Sequence, residues 1–129
     1  MRDVRVLVTG CRTWAEPLVV KQQLALEQDR LGLEGDRFVV VHGCAAGADK
    51  AADEFVLEAR SELVVHERYP ADWVKHGKAA GMIRNREMAR AGADLCLAFW
   101  DGLSKGTAGM ISEAVRAGIP VRIIPAVKP

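Results

Sequence analysis

Short runs of β-branched and apolar residues alternate along the chain with longer stretches whose apolar positions recur at helical spacing. The simplest fold for that alternation is a parallel sheet covered by helices on both faces, an α/β architecture. Strands are expected at 4–9, 37–42, 63–68, 94–100 and 120–124. Phe38 to Val41 and Leu95 to Trp100 are nearly continuous apolar runs, the mark of strands buried on both faces. Helices are expected at 17–31, 48–60, 82–91 and 107–117. The first opens on Pro17, the second sets Ala48, Ala52, Phe55 and Ala59 on one stripe, and the last two are closed by Gly92 and Gly118. Five βα-type units of unequal length result. Right-handed crossovers wind them into a five-stranded, mainly parallel, doubly wound sheet with the fourth strand beside the first. Ligands of such sheets sit past the carboxyl ends of the strands, where the winding reverses, and this selects the loops to read for chemistry.

Three small-residue turns fall at that edge, each feeding a helix: Thr9-Gly10-Cys11-Arg12-Thr13-Trp14, Gly43-Cys44-Ala45-Ala46-Gly47-Ala48-Asp49, and Asp101-Gly102-Leu103-Ser104-Lys105-Gly106-Thr107. Glycine and alanine let a ligand approach the backbone closely, and the first N–H groups of a helix favour an anion, so phosphate is the expected group. Tight turns also need glycine for geometric reasons alone; it is the gathering of three on one edge that points to a site. Neither G-x-G-x-x-G nor the P-loop pattern is present, since Gly10 is followed by Trp14 and Glu16, and Lys105 precedes Gly106. Gly102-Leu103-Ser104-Lys105-Gly106 matches the G-x-S-x-G nucleophile elbow. The triad order needs a histidine after the serine, however, and His42, His66 and His76 all precede Ser104. The longest connection, 69–86, carries Asp72, Trp73, Lys75, Lys78, Arg84 and Asn85, side chains that stack on a base, bond a ribose or neutralise phosphate. Trp73 reads equally as a lid on the core, and Lys75 with Lys78 as a solvated face.

Composition narrows the function classes. Half of the 129 residues are hydrophobic, which suits one domain spanning 1–129. Eighteen basic against seventeen acidic residues leave a formal charge of +1, too balanced for a protein that coats DNA or RNA. No apolar run approaches the roughly 18 residues of a membrane span, and Met1-Arg2-Asp3 leads straight into a strand-like run, so a cytoplasmic protein without a membrane partner is expected. Cys11, Cys44 and Cys96 lack close pairing, so neither disulfides nor a structural zinc site is expected, and no metal is assigned. The Lys128-Pro129 tail is too short to form a module.

Gly10-Cys11-Arg12-x-Trp14, His42-Gly43-x-Ala45-x-Gly47-Ala48-Asp49, Pro70-Ala71-Asp72-Trp73, Gly81-x-x-Arg84-Asn85-x-x-Met88 and Ser104-x-Gly106-Thr107 occur in order over nearly the whole chain. Together they resemble the YspA-like, cpYpsA-related branch of the SLOG superfamily. The resemblance implies a Rossmann-like fold that binds a nucleotide or nucleotide-derived ligand, such as an ADP-ribose-like compound, as a sensor or carrier with no further cofactor. In that reading Gly43, Ala45, Gly47, Gly106 and Thr107 cradle phosphate, with Gly10, Gly102 and Ser104 in the flanking turns. Arg12 and Arg84 neutralise charge beside Asn85, Asp49 or Asp72 holds the ribose, and Trp14 or Trp73 stacks on the base. Cys11 stands where a serine is expected. The chain is also similar to the LOG phosphoribohydrolases, which imply a homodimer or larger assembly and a catalytic glutamate three residues beyond Thr107. Met110 occupies that position, and methionine can neither relay a proton nor stabilise an oxocarbenium ion. A nucleotide hydrolase using Asp49, Asp72 or Arg84 is the first rival reading, and a single-strand DNA-binding module the second.

Overall fold

The computed structural model, described over residues 2–31 and 35–126, runs β1 (Asp3–Gly10), α1 (Pro17–Arg30), β2 (Arg37–His42), α2 (Ala48–Ala59), β3 (Val64–Arg68) and α3 (Trp73–His76). A 3₁₀ turn (Gly77–Ala79) then leads into α4 (Ala80–Ala91), β4 (Leu95–Trp100), α5 (Lys105–Arg116) and β5 (Val121–Pro125). The Lys128-Pro129 tail lies outside the described residues. The sheet has the order β3-β2-β1-β4-β5 with every neighbouring pair parallel. The expected placement of the fourth strand beside the first is therefore met. No helix follows β5 among the described residues, so four βα units and a closing strand replace the expected five.

Alternation along β1 sends Val6 and Val8 to one face of the sheet and Leu7 to the other. On the first face, Val20 and Leu24 of α1 and Ala48, Ala51, Ala52 and Val56 of α2 bury against Phe38, Val40, Leu97 and Phe99. On the second, Met88 and Ala89 of α4 and Met110 and Ala114 of α5 bury against Val39, Val41 and Cys96. Buried Glu27 of α1 pairs with Arg122 of β5, which fastens that helix to the edge of the sheet. The alanines of α2 let it lie close to the strands. At the end of β1 the approach is tightest: a Cβ on Gly10 would stand 2.5 Å from Ala48 Cβ and 2.8 Å from the Phe99 carbonyl oxygen.

Differences from the expected elements have local causes. Gly92 and Gly118 close α4 and α5 at positive φ of 84° and 77°, as glycine at those positions predicts. α5 opens two residues before the expected start because Ser104 caps it, accepting from the Thr107 N–H at 3.5 Å. The connection after β3, expected as a loop up to residue 81, contains α3 and the 3₁₀ turn, and α4 starts at Ala80. Asp72 caps α3 by accepting from the Lys75 N–H at 3.0 Å, and α3 buries none of its residues, so no apolar periodicity marks it in the sequence. No helix among the described residues is long and apolar enough to cross a membrane.

The packing of Gly10 generates a test. Gly10→Ala should destabilise the fold by about 1–3 kcal/mol, the usual cost of an added methyl group in a filled core, as measured by urea denaturation. Unchanged stability would mean that α2 can retreat from the sheet freely.

Candidate functional site

β1 and β4 carry their chains to opposite faces, and the loops beyond them part to leave a cleft of about 600 Å³. The loop after β1 contributes Gly10, Cys11 and Arg12, and the β2–α2 segment adds Ala45 and Asp49. Trp73, Lys78, Arg84 and Asn85 form a second wall, and Ser104, Lys105, Gly106 and Thr107 at the start of α5 form a third.

Asp49, in the first turn of α2, is buried at the base of this cleft. One of its carboxylate oxygens, Oδ2, accepts from the Gly43 N–H at 3.0 Å and from the Ala45 N–H at 3.2 Å. His42 Nδ1 accepts from the Cys44 N–H at 3.1 Å. Three successive N–H groups of the β2–α2 loop are thus satisfied within the protein. Of the expected phosphate cradle, the Gly43 and Ala45 N–H groups are engaged from inside by a carboxylate. Desolvation raises the Asp49 pKa to about 6, against the opposing pull of the Ala45 and Gly43 N–H groups and of Arg84 and Arg12.

Arg84 reaches across the cleft to that turn. Its Nη1 donates to the Gly43 carbonyl at 2.5 Å and to the Tyr69 carbonyl at 3.4 Å, and its Nε donates to Asn85 Oδ1 at 2.9 Å. The space a Gly43 side chain would need is filled by this guanidinium. Burial lowers the Arg84 pKa from its ordinary value, with neighbouring Asp49 opposing; an arginine remains charged under such a shift. Arg12, on the opposite rim, stacks its guanidinium 5.8 Å from the ring centre of Trp73, which is half exposed.

The third wall differs from the second loop in what its backbone leaves free. Asp101 Oδ1 accepts from the Leu103 and Ser104 N–H groups, both at 2.8 Å, and these bonds hold its pKa below the usual carboxylate value. Lys105 and Gly106 follow as the first residues of α5, where N–H groups have no partner inside the helix. A Cβ on Gly106 would meet nothing within 4 Å, so that glycine opens space on the cleft side. Asn85 Nδ2 donates to the Gly106 carbonyl at 3.5 Å and links the walls.

Of the residues expected at the site, the cleft gathers Gly10, Cys11, Arg12, Ala45, Asp49, Trp73, Arg84, Asn85, Ser104, Gly106 and Thr107. It leaves out five. Trp14 is buried edge-on against Phe99, centroids 5.4 Å apart, and is a core residue rather than a stacking platform. Gly43 is covered by Arg84, and Gly47 sits at φ +73° against the backbone of Cys11 and Arg12, so both glycines serve the meeting of loops. Asp72 caps α3, and Gly102 lies in the turn ahead of α5 without lining the cleft. Met110 is fully buried in the second core face, and Glu113 pairs with Arg86 at 3.6 Å and Arg116 at 3.7 Å, away from the cleft. Lys78 and Lys105 are cleft cations that the sequence reading did not assign; their place after a capped turn and at a helix start was the available signal.

With this geometry in hand, two comparisons bear on kinship. The family model described as the YspA, cpYpsA-related SLOG family matches residues 4–76, from β1 to the end of α3. The chain is also similar to the gene 61 protein of Mycobacterium phage D29, 50% identical over 119 residues that cover 91% of this chain and 93% of that protein.

Asp49 gives a pH test with a definite sign. Its folded pKa of about 6 lies above the ordinary 3.8, so the folded state binds the proton more tightly than the unfolded chain. The stability it contributes is complete below about pH 4 and is lost as pH rises through about 6. Asp49→Asn can still accept from both loop N–H groups while removing the buried charge. The stability of this variant relative to the original chain should therefore grow between pH 4 and pH 6 and level off above, in denaturation curves taken across that range. A difference independent of pH would show that Asp49 titrates at its ordinary value.

Proposed function

The chain belongs to the YspA, cpYpsA-related SLOG family, and on that footing we propose that it is a cytoplasmic binding module for a nucleotide or nucleotide-derived ligand. The observation that carries the reading is the start of α5, where the N–H groups of Lys105 and Gly106 have no partner within the helix and Gly106 borders open space, in a cleft that also holds Arg12, Lys78 and Arg84. A phosphate suits that combination of helix dipole and fixed cations. Trp73, half exposed and already stacked with Arg12, offers an aromatic face to a base or to the second half of a dinucleotide-like ligand. The binding role is favoured over hydrolysis by the fate of the carboxylates. Met110 replaces the glutamate that LOG-type cleavage uses and is buried, Asp72 caps a helix, and Asp49 Oδ2 is engaged by two backbone donors.

Mass spectrometry of the small molecule released on denaturing the purified chain would identify the ligand class, and calorimetric titration with AMP and with ADP-ribose would measure it. Gly106→Val is the cleanest variant, because its side chain enters space that the protein leaves open. It should keep the fold and weaken binding at least tenfold; affinity equal to the original would remove α5 from the site. Arg84→Ala should cost about 1.5–3 kcal/mol of binding, the range for a hydrogen bond to a charged group. It should also lower stability by about 1 kcal/mol, since Arg84 holds the Gly43 and Tyr69 carbonyls.

A further inference from the structure

Beneath the β2–α2 loop, on the face of the sheet covered by α2, lies a second cluster of chemically capable side chains. His42 ends β2, His66 lies in β3, and both face α2, whose Asp53 stands one helical turn beyond Asp49. His42 Nε2 is 3.1 Å and His66 Nδ1 2.9 Å from the same oxygen, Asp53 Oδ1. The three ligand atoms lie within 4.8 Å of one another. For bonds of about 2.0–2.1 Å, a tetrahedral zinc ion sets its donors about 3.3 Å apart, so each imidazole nitrogen already stands within a few tenths of an ångström of the required separation from Asp53 Oδ1, and the three atoms need only small rotamer adjustments to surround an ion. His66 Nδ1 points the same way: it is a buried nitrogen with no hydrogen-bond partner, because its approach to Asp53 is misaligned. A cavity of about 310 Å³ bordered by His42, Cys44, Lys50, Asp53 and Arg68 opens over the cluster, giving an ion access and leaving water its remaining positions.

We propose that His42, Asp53 and His66 form a binding site for a divalent transition-metal ion of the zinc type. Two imidazoles and one carboxylate are the donor set that borderline ions such as Zn²⁺ and Co²⁺ take, with an open position towards solvent. None of the three donors lines the nucleotide cleft, and they come from three separate elements, so the cysteine spacing that argued against metal has no bearing on the site. Two features of the metal-free protein compete with the ion. Arg68 donates to both oxygens of Asp53, at 3.0 and 3.1 Å, and its side chain is half exposed, so it can swing into solvent. His42 Nδ1 accepts from the Cys44 N–H, which leaves the ring proton on Nε2; coordination moves that proton to Nδ1 and gives up the bond to Cys44.

The test is a Co²⁺ titration of the chain without an affinity tag, followed by displacement with Zn²⁺ against a chromophoric chelator. Binding should saturate at one equivalent with the visible bands of a tetrahedral Co²⁺ site, and Zn²⁺ should abolish them. His66→Gln should weaken Zn²⁺ binding at least as much as the ten- to hundredfold that loss of a metal's outer-shell partner costs. Asp53→Asn should do the same. His66 is the safer of the two for folding, as its side chain lies on an edge strand and makes no hydrogen bond. Arg68→Met should tighten binding by about tenfold, the scale of one adjacent like charge, and His76→Gln should leave it unchanged. Failure to saturate at one equivalent, or saturation that survives His66→Gln with unaltered affinity, would overturn the proposal.

Discussion

A carboxylate held almost out of contact with water is the constraint around which the carboxyl edge of this protein is arranged. Burial penalises the charge of Asp49, and the chain offsets the penalty by turning the Gly43 and Ala45 N–H groups inward and by setting Arg84 and Arg12 nearby. Each concession fixes something else. Arg84 takes the room beside Gly43 and bonds the Gly43 and Tyr69 carbonyls, which joins the second loop to the third. Gly47 lies so close to the Cys11 and Arg12 carbonyls that no larger residue fits, which joins the second loop to the first. Three loops are tied through one acidic side chain.

That arrangement explains why the two glycine-rich loops do different work. The β2–α2 loop spends the N–H groups of Gly43, Cys44 and Ala45 on the protein's own Asp49 and His42, and its glycines make room for close contact, Gly43 with the Arg84 guanidinium and Gly47 with the backbone of Cys11 and Arg12. The β4–α5 loop uses Asp101 for the N–H groups of Leu103 and Ser104 and then begins a helix with Lys105 and Gly106 still open. A helix start with free N–H groups attracts an anion, whereas loop N–H groups already bonded to a carboxylate do not. Backbone groups of the same kind therefore hold the fold together on one side of the cleft and stay open at the start of α5 on the other.

Much of this was legible in the sequence, and the omissions share a cause. Unbroken apolar runs such as Phe38 to Val41 named the central strands, because a strand covered on both faces has no polar alternation to blur it. Arg12, Arg84 and Gly106 were found because the winding rule points to the carboxyl edge without any knowledge of side-chain direction. Direction is what sequence spacing lacks. Trp14 and Trp73 look alike as aromatic residues near that edge, yet Trp14 packs on Phe99 while Trp73 stands half exposed at the cleft. Asp49 and Asp72 are both carboxylates in ligand-edge loops, but one is buried and the other caps a four-residue helix. The cluster of His42, Asp53 and His66 was invisible for the related reason that its members come from three elements brought together only by the sheet.

The strand order carries a consequence for how the protein comes into being. β1 is the central strand, and its inner neighbour β2 follows after a single helix, but on its other side Val6 waits for Leu95, about ninety residues later. A chain still being synthesised can close β1 to β3 early, yet it then exposes the open edge of β1, with Val6, Leu7 and Val8, until the last third arrives. The cleft lacks its α5 wall during that interval. Completion of the cleft and protection of the sheet edge thus arise in the same late folding event, when β4 docks and brings α5 to face the loops already formed.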